Sequence, residues 1–211
     1  CSSLAFAQRR INQLSIENVN LINMDILDVN LLKQKFDIIE CCGVLHHMAE
    51  PIQGLKSLLD ILNPYGFMRL SLYSEVSRHA IVKAREYIKD RNLYYDIDTM
   101  RNFRKDIFSG KFPELFSITG EGSDFYNTSN FRDLCFHSQE HRFTFDQLEE
   151  ILFLNKLKFL GFFLPPQTKS LYKRFFPEDM TLANLKNWGE LEKKFPGIFS
   201  STSPFWVSKY E

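Results

Sequence analysis

Two adjacent histidines, His46 and His47, are the side chains in this sequence best suited to acid–base chemistry at neutral pH. An imidazole titrates near neutrality, so it can accept a proton from a substrate and return it. They follow Cys41, Cys42 and Gly43, small residues that allow a ligand to come close to the backbone. A purely structural role, in which one histidine caps the next helix or packs beneath a sheet, stays open for each of them.

A second polar cluster occupies residues 131–143. Within it, His137, Glu140 and His141 match the H-x-x-E-H pattern of inverted zinc peptidases. That chemistry needs both histidines on one helical face, whereas the next helix is predicted to begin only at Thr144, so we predict no metal site. The preferred interpretation is a lid in which these three residues and Asp133 select a substrate. A polar network that ties the lid to a sheet is the alternative.

The elements that must position these side chains follow a βα pattern. Residues 36–41 are an apolar run typical of a buried strand, and residues 51–62 are an amphipathic helix that opens on a proline. Residues 18–27 and 67–73 are predicted to be strands as well. Such a series favours a parallel sheet, and ligands bind at the carboxyl ends of its strands.

The remainder of the chain alternates helical, turn-rich and apolar segments. We predict helices at residues 2–14, 77–92, 98–108, 182–194 and from Thr144 onward, a turn-rich loop at 117–129, and strands at 157–164 and near 204–207.

Composition narrows the class of protein. The 211 residues contain 26 Lys and Arg against 26 Asp and Glu, which gives no support for bulk binding to nucleic acid or membranes. The four cysteines do not look like a disulfide framework, so we expect reduced thiols and a cytoplasmic location. The pair Cys41 and Cys42 is interpreted as small buried residues rather than as a nucleophile.

Taken in order, the segments NMDIL, FDIIECCGVLHHM and LNPYGFMRLSLY resemble the middle and end of a class I S-adenosylmethionine-dependent methyltransferase. The resemblance implies an α/β fold with a Rossmann-like, mostly parallel sheet of strand order 3-2-1-4-5-7-6. It implies S-adenosylmethionine as the cofactor. The turn before the fifth strand, usually Pro-Gly-Gly in that family, is Pro64-Tyr65-Gly66 here.

The same resemblance implies the cofactor site. In the family an acidic residue after the third strand holds the adenine amino group, and Asp25 with Ile26 stands there. The fourth strand opens on an Asp, here Asp37, and the loop after it lines the methionine end of the cofactor. The residues implied at that end are Cys41, Cys42, Gly43 and His47.

The later segment DFYNTSNFRDLCFHSQEHRFT and the closing FWV are similar to a narrower bacterial group, in which such a domain often follows tetratricopeptide repeats. The resemblance implies such repeats upstream in the intact protein. The methyl acceptor is an unidentified small molecule or protein. The residues expected to contact it or to remove its proton are His46, His47, His137 and His141.

Two features of the family do not occur in this sequence: the glycine-rich turn after the first strand and the acidic end of the second strand. Gly120 and Gly122 are the only closely spaced glycines, and they lie in the late loop. We therefore expect a chain that begins after the second strand, lacks the first two strands, and binds the cofactor weakly or not at all in isolation. The strand at residues 18–25 should then be displaced or pair directly with residues 36–41.

Three parts are expected along the chain: a partial methyltransferase core at residues 1–74, a helical cap at 75–143, and the rest of the core at 144–211. The alternative function is a non-catalytic protein-binding module built on a degenerate methyltransferase fold.

Overall fold

A four-stranded sheet is the centre of the fold. Strand β1 (Phe36–Cys42) pairs in parallel with β2 (Leu62–Ser71). Strand β6 (Phe205–Lys209) runs antiparallel between β2 and β5 (Leu157–Phe162), which gives the order β1-β2-β6-β5. Because β1, β2 and β5 point the same way, the prediction of a mostly parallel α/β sheet is confirmed.

The structure is a computed structural model that describes residues 2–137, 139–199 and 203–210. None of the helices in this part of the chain is long and apolar enough to cross a bilayer. Its other elements are α1 (Ser2–Gln13), a 3-10 helix (Ile26–Leu32), a 3-10 helix (Leu45–His47), α2 (Pro51–Ile61), β3 (Tyr73–Ser74), α3 (His79–Asp90), α4 (Ile97–Phe108), a 3-10 helix (Pro113–Glu121), α5 (Ser123–Tyr126), α6 (Thr128–Cys135), β4 (Arg142–Phe143), α7 (Phe145–Leu154), α8 (Pro166–Phe175) and α9 (Leu185–Lys194).

Helix α2 covers one face of the sheet. Its proline at the first helical position needs no hydrogen-bond acceptor for a backbone N–H, and its leucines recur at helical spacing. Leu55 and Leu58 are buried in the same cluster as Met68 and Val207 from the central strands. This packing fixes the carboxyl end of β1 relative to the residues that follow it.

The opposite face of the sheet is largely open. Ile38 on β1 is 61% exposed and its cross-strand neighbour Phe67 is 44% exposed. Two residues along each strand, Glu40 and Arg69 form a salt bridge of 3.0 Å on the same face. Parallel sheets normally carry apolar side chains on both faces because both are covered.

The predicted strand at residues 18–27 is wrong. Residues 18–25 form no regular element, and within the described chain β1 pairs with β2 alone. Of the two expected outcomes for this segment, displacement or pairing with residues 36–41, pairing is therefore wrong. A strand needs a neighbour for its backbone groups, and this segment has none. Its apolar side chains Val19, Ile22 and Met24 are exposed instead.

The helices between β3 and β4 have an apolar cluster of their own. Phe103, Ile107, Phe125 and Phe131 are buried there, apart from the cluster that covers the sheet. The turn-rich loop predicted at residues 117–129 is wrong, because this segment is mostly helical and buries apolar side chains in that cluster. Helix α8, which the sequence analysis did not predict, begins where Pro165-Pro166 ends the preceding extended segment.

A capping box begins α7, as expected for Thr144, and gives a first testable prediction. The Thr144 hydroxyl accepts a hydrogen bond from the Gln147 N–H at 3.2 Å, and the Gln147 side chain accepts one from the Thr144 N–H at 2.9 Å. Thr144→Ala should lower the free energy of unfolding by about 1 kcal/mol in urea denaturation. Thr144→Ser keeps the hydroxyl and should cost much less; equal losses for the two variants would contradict this role.

Candidate active site

The chain bends sharply at Gly43, where β1 ends. The φ angle of Gly43 is +76°, a left-handed conformation that favours glycine. Its N–H donates a hydrogen bond to the Ser71 hydroxyl on β2 at 3.0 Å. A Cβ at this position would meet no atom within 4 Å, so open space lies beside the bend.

His46 is fully buried beneath this bend. Its ring stacks on Tyr73 at 3.7 Å between centroids, and the Arg78 guanidinium lies 3.6 Å from the centroid of the Tyr73 ring. Neither ring nitrogen of His46 has a hydrogen bond of good geometry in the described part of the chain. Burial, followed by the charges of His47 and Arg78, lowers the pKa of His46 to about 3. These surroundings favour a supporting role for His46 rather than contact with a substrate.

His47 is half-buried and its ring is oriented by a backbone carbonyl. Its Nδ1 lies 3.0 Å from the Gln139 carbonyl oxygen. Because a carbonyl only accepts, Nδ1 must carry the proton, and Nε2 is left with its lone pair in the neutral ring. Burial lowers the pKa of His47, against the opposing effect of the Gln139 carbonyl, so the neutral form is favoured at pH 7.

His137 lies against His47, with 4.0 Å between ring centroids. Its Nδ1 accepts a hydrogen bond from the Gln139 N–H at 3.1 Å, so the neutral ring carries its proton on Nε2. His47 therefore offers a proton acceptor, its Nε2, whereas neutral His137 offers a donor, its Nε2–H. They line a cleft of about 540 Å³, within the range of ligand sites, together with Gly43, Tyr95, Arg132, Asp133 and Phe136.

Residues 139–143, which we call the strap, join the helical region to the sheet. The His141 N–H donates to the His46 carbonyl at 2.8 Å, and the strap ends in β4, which pairs in parallel with β3. The side chain of His141 is half-buried, and its Nε2 has no hydrogen-bond partner among the described residues. The strap therefore lies directly against the two adjacent histidines.

Glu140 points away from the cleft, contrary to its expected place in a substrate-selecting lid. Its side chain is 1% exposed and accepts hydrogen bonds from Arg78 at 2.6 and 3.3 Å and from Arg85 at 2.7 Å. This polar network ties the strap to helix α3, whereas the alternative in the sequence analysis tied the lid to a sheet. Glu140, His137 and His141 lie outside the helices, and no cluster of three or more metal-ligating side chains occurs in the described part of the chain.

The residues expected around the cofactor lie in two places. Asp25 caps the 3-10 helix (Ile26–Leu32), where its Oδ1 accepts a hydrogen bond from the Leu27 N–H at 2.9 Å, and Ile26 packs against the main core. That helix and the turn carrying His47 both contact α2. The 3-10 helix that Asp25 caps and the turn that follows the Gly43 bend thus lie against the same helix.

The two neighbouring cysteines differ in their surroundings. Cys41 is buried in the core, and burial, followed by the neighbouring Cys42, raises the pKa of its thiol to about 11. The Cys42 thiol donates a weak hydrogen bond to the Arg69 carbonyl at 3.8 Å. Cys41 therefore lies outside the cleft, and neither cysteine forms a disulfide.

Sequence reasoning missed Tyr73, Arg78 and the main chain of Gln139. The first two support His46 and Glu140 from positions far away in sequence, and no local pattern marks such pairs. Gln139 acts through its backbone, which side-chain chemistry does not reveal. The position of Tyr73 at the end of a predicted strand was the one available signal.

His46 should make the protein less stable in mild acid. The unfolded chain takes up a proton below about pH 6.5, whereas folded His46 does so only near pH 3, so its contribution is complete above pH 6.5 and is lost as the pH falls. Between pH 7 and pH 5 it should account for about 2 kcal/mol of lost stability. We expect His46→Phe, which keeps an aromatic ring against Tyr73, to show a smaller difference between urea denaturation at the two pH values. An unchanged difference would refute the assignment.

The strand order identifies the class of fold. The order β1-β2-β6-β5, with β6 antiparallel, equals strands 4-5-7-6 of a class I methyltransferase. The structure of PKMT2 from Rickettsia typhi in complex with AdoHcy superimposes with a TM-score of 0.69 over 96% of this chain and 41% of that chain, at 18% identity. The chain has the Rossmann-like methyltransferase fold.

Sequence comparison agrees with the fold. Residues 2–68 match the methyltransferase domain family Methyltransf_12. An uncharacterized protein of Synechococcus sp. is 30% identical over 171 residues, and the tRNA U34 carboxymethyltransferase of Campylobacter lari is 31% identical over 117 residues. These alignments cover 76% and 54% of this chain, and 40% of each relative. The chain is similar to methyltransferases in fold and in sequence, and it spans about two fifths of the length of these relatives.

Proposed function

We propose that the protein transfers a methyl group from S-adenosylmethionine to an acceptor that enters between the end of β1 and the helices α3–α6. The observation that supports this most directly is the position of His47. It lies beside the open Gly43 bend, with Nδ1 engaged by Gln139 and Nε2 left as a proton acceptor. The AdoHcy in the Rickettsia neighbour supports the same class of cofactor.

The residues present fit one wall of a cofactor site. The Gly43 bend has open space where a side chain would otherwise stand, so a ligand can lie against its backbone. Asp25 would hold the adenine end, Ile26 would contact the ring, and Gly43 with His47 would face the methionine end. When bound, S-adenosylmethionine supplies a methyl group on a positively charged sulfur, which leaves as a neutral thioether once the methyl group has moved to the acceptor.

The chain's own residues position the acceptor and take up its proton. Methyl transfer is an in-line displacement, so alignment of the acceptor accounts for most of the catalysis. Where the acceptor carries a proton, that proton passes to His47 Nε2. The Nε2–H of His137 donates to a polar atom of the acceptor beside it. His46 supports these two rings from the buried side, and His141 supports them from the strap.

The region at residues 75–143 acts in this proposal as the cap over the cleft, between the core segments at 1–74 and 144–211. Its separate apolar cluster supports this division, because the helices can pack without the sheet. Tyr95, Arg132 and Asp133 contribute the polar cap side of the cleft. The acceptor remains a small molecule or a protein, and tetratricopeptide repeats upstream belong to the same proposal.

Calorimetry on the full-length natural protein tests the cofactor site. S-adenosylmethionine should bind, and Gly43→Val should weaken binding by about tenfold or more, which corresponds to about 1.4 kcal/mol. Gly110→Val is the matched control, because Gly110 has a φ of +77° and equally open surroundings but does not line the cleft. Absence of both binding heat and thermal shift would contradict the proposal and favour a non-catalytic protein-binding module.

Transfer is tested with a methyl-labelled donor and separated protein, RNA and small-molecule fractions of a cell lysate. Label should enter one fraction, and His47→Gln should reduce its incorporation by roughly a hundredfold or more if the acceptor carries a proton. His79→Gln is the control, since His79 is exposed and does not line the cleft. Equal incorporation by the two variants would remove His47 from the mechanism.

A further inference from the structure

The buried carboxylate of Glu140 lies next in sequence to the residue that orients His47. We propose that Glu140 is a positioning residue: through the strap it holds the Gln139 carbonyl against His47 Nδ1 and so keeps Nε2 free to accept a proton. The importance of this lone pair rests on the proposed function, whereas the positioning itself does not.

Glu140 fixes the strap to helix α3 from one side. Arg78, at the start of that helix, contacts the carboxylate through two nitrogens, and Arg85, two turns later, contacts it through one. Arg85 also donates to the carbonyl of His137, so the chain is held on both sides of Gln139. Because Arg78 is 0% exposed and Glu140 is 1% exposed, neither partner can turn to water instead.

The other side of the strap faces the two adjacent histidines. The His141 N–H bonds to the His46 carbonyl, and the Gln139 carbonyl meets His47 Nδ1. The backbone of Gln139 also donates to His137 Nδ1. One peptide segment thus sets the tautomers of both cleft histidines, with Glu140 as its anchor.

The second tautomer that a neutral His47 could adopt shows why the strap needs an anchor. A histidine without a fixed partner can carry its proton on either nitrogen, and the form protonated at Nε2 presents a donor where the acceptor's proton must be received. A backbone carbonyl selects one form only while it stays at hydrogen-bond distance. The ion pairs of Glu140 restrict the strap enough to maintain that distance.

Nitrogen-15 imidazole NMR spectra of the protein, recorded near pH 7 without cofactor or acceptor, test the proposal. The sequence contains five histidines, so each can be assigned by single His→Gln replacements. In the wild type, His47 should be protonated at Nδ1 and neutral His137 at Nε2. In Glu140→Gln, His47 should lose its preference for Nδ1 and populate the Nε2–H form.

Asp179→Asn is the matched control, because its carboxylate also accepts several hydrogen bonds, from Tyr172, Thr181 and Asn184, outside the cleft. It should lower stability without changing the His47 signals. If Glu140→Gln does not fold, Arg85→Lys tests the proposal instead. Lysine keeps the positive charge but cannot contact the Glu140 carboxylate and the His137 carbonyl with two nitrogens, so the His47 tautomer should shift in part. Wild-type His47 protonated at Nε2, or a folded variant with unchanged His47 signals, would overturn the proposal. Because no cofactor takes part, this outcome is separate from failure of the methyl-transfer proposal.

Discussion

Glu140→Leu should lower the free energy of unfolding by about 3–5 kcal/mol. In the described part of the chain, Glu140 is the only carboxylate that contacts the Arg78 guanidinium, and Arg78 is fully buried. Arg85, 17% exposed, loses the same partner. Two positive charges would then remain in a low-dielectric site without compensation, which costs far more than an exposed ion pair contributes. Urea denaturation followed by circular dichroism measures the loss.

Glu40→Gln is the control for this prediction. Glu40 pairs with Arg69 at 3.0 Å, but both side chains are partly exposed, at 58% and 28%. Water screens such a pair, so we expect a loss below about 1 kcal/mol. Similar losses for the two variants would show that burial of the Glu140 network does not determine its energy.

Trp188→Ala should cost about 3–5 kcal/mol of stability. Trp188 on α9 is 1% exposed. Its ring centroid lies 4.0 Å from that of Tyr172 and 5.6 Å from those of Phe162 and Phe199. Its indole N–H also donates to the Leu182 carbonyl at 2.9 Å. Its removal would leave a cavity where α8 and α9 meet the end of β5 and would leave that carbonyl without its donor. Thermal or urea unfolding provides the measurement.

The second tryptophan of the chain is the internal control. Trp206 lies on β6 and is only half-buried. Trp206→Ala should cost about 1 kcal/mol, because less apolar surface is lost. A soluble quencher should reach Trp206, measured in Trp188→Ala, and leave Trp188 unaffected, measured in Trp206→Ala. Equal quenching in the two single-tryptophan proteins would contradict the burial of Trp188.

The sequence predicted the elements whose signals are local. Helix α2 has a proline at its start and a leucine stripe, and α7 has a capping box, so both were placed within a residue or two. The segment at 117–129 has the glycines, serines and asparagine of a loop, yet Ile118 and Phe125 are drawn into the apolar cluster of the helical region. Packing overrode turn propensity there, and a single sequence does not report packing.

The sequence predicted which residues belong to the candidate site but not how they are arranged. Adjacent residues such as His46 and His47 leave a tight turn in different directions, and only the fold decides which one is buried. The segment at 18–27 shows the converse limit, because alternating side chains predict a strand only where another strand is available to pair with it. Long-range contacts such as Arg78 with Glu140 have no local signature at all.

The outer strand β1 has consequences for handling the protein in solution. An unpaired strand edge can recruit further strands, and negatively charged side chains are one means by which proteins prevent this. Asp37 and Glu40 on β1 supply such charges beside the exposed Ile38. Replacing both carboxylates with amides, in Asp37→Asn combined with Glu40→Gln, would remove that repulsion. This double variant should therefore precipitate or form fibrils more readily than the wild type on moderate warming.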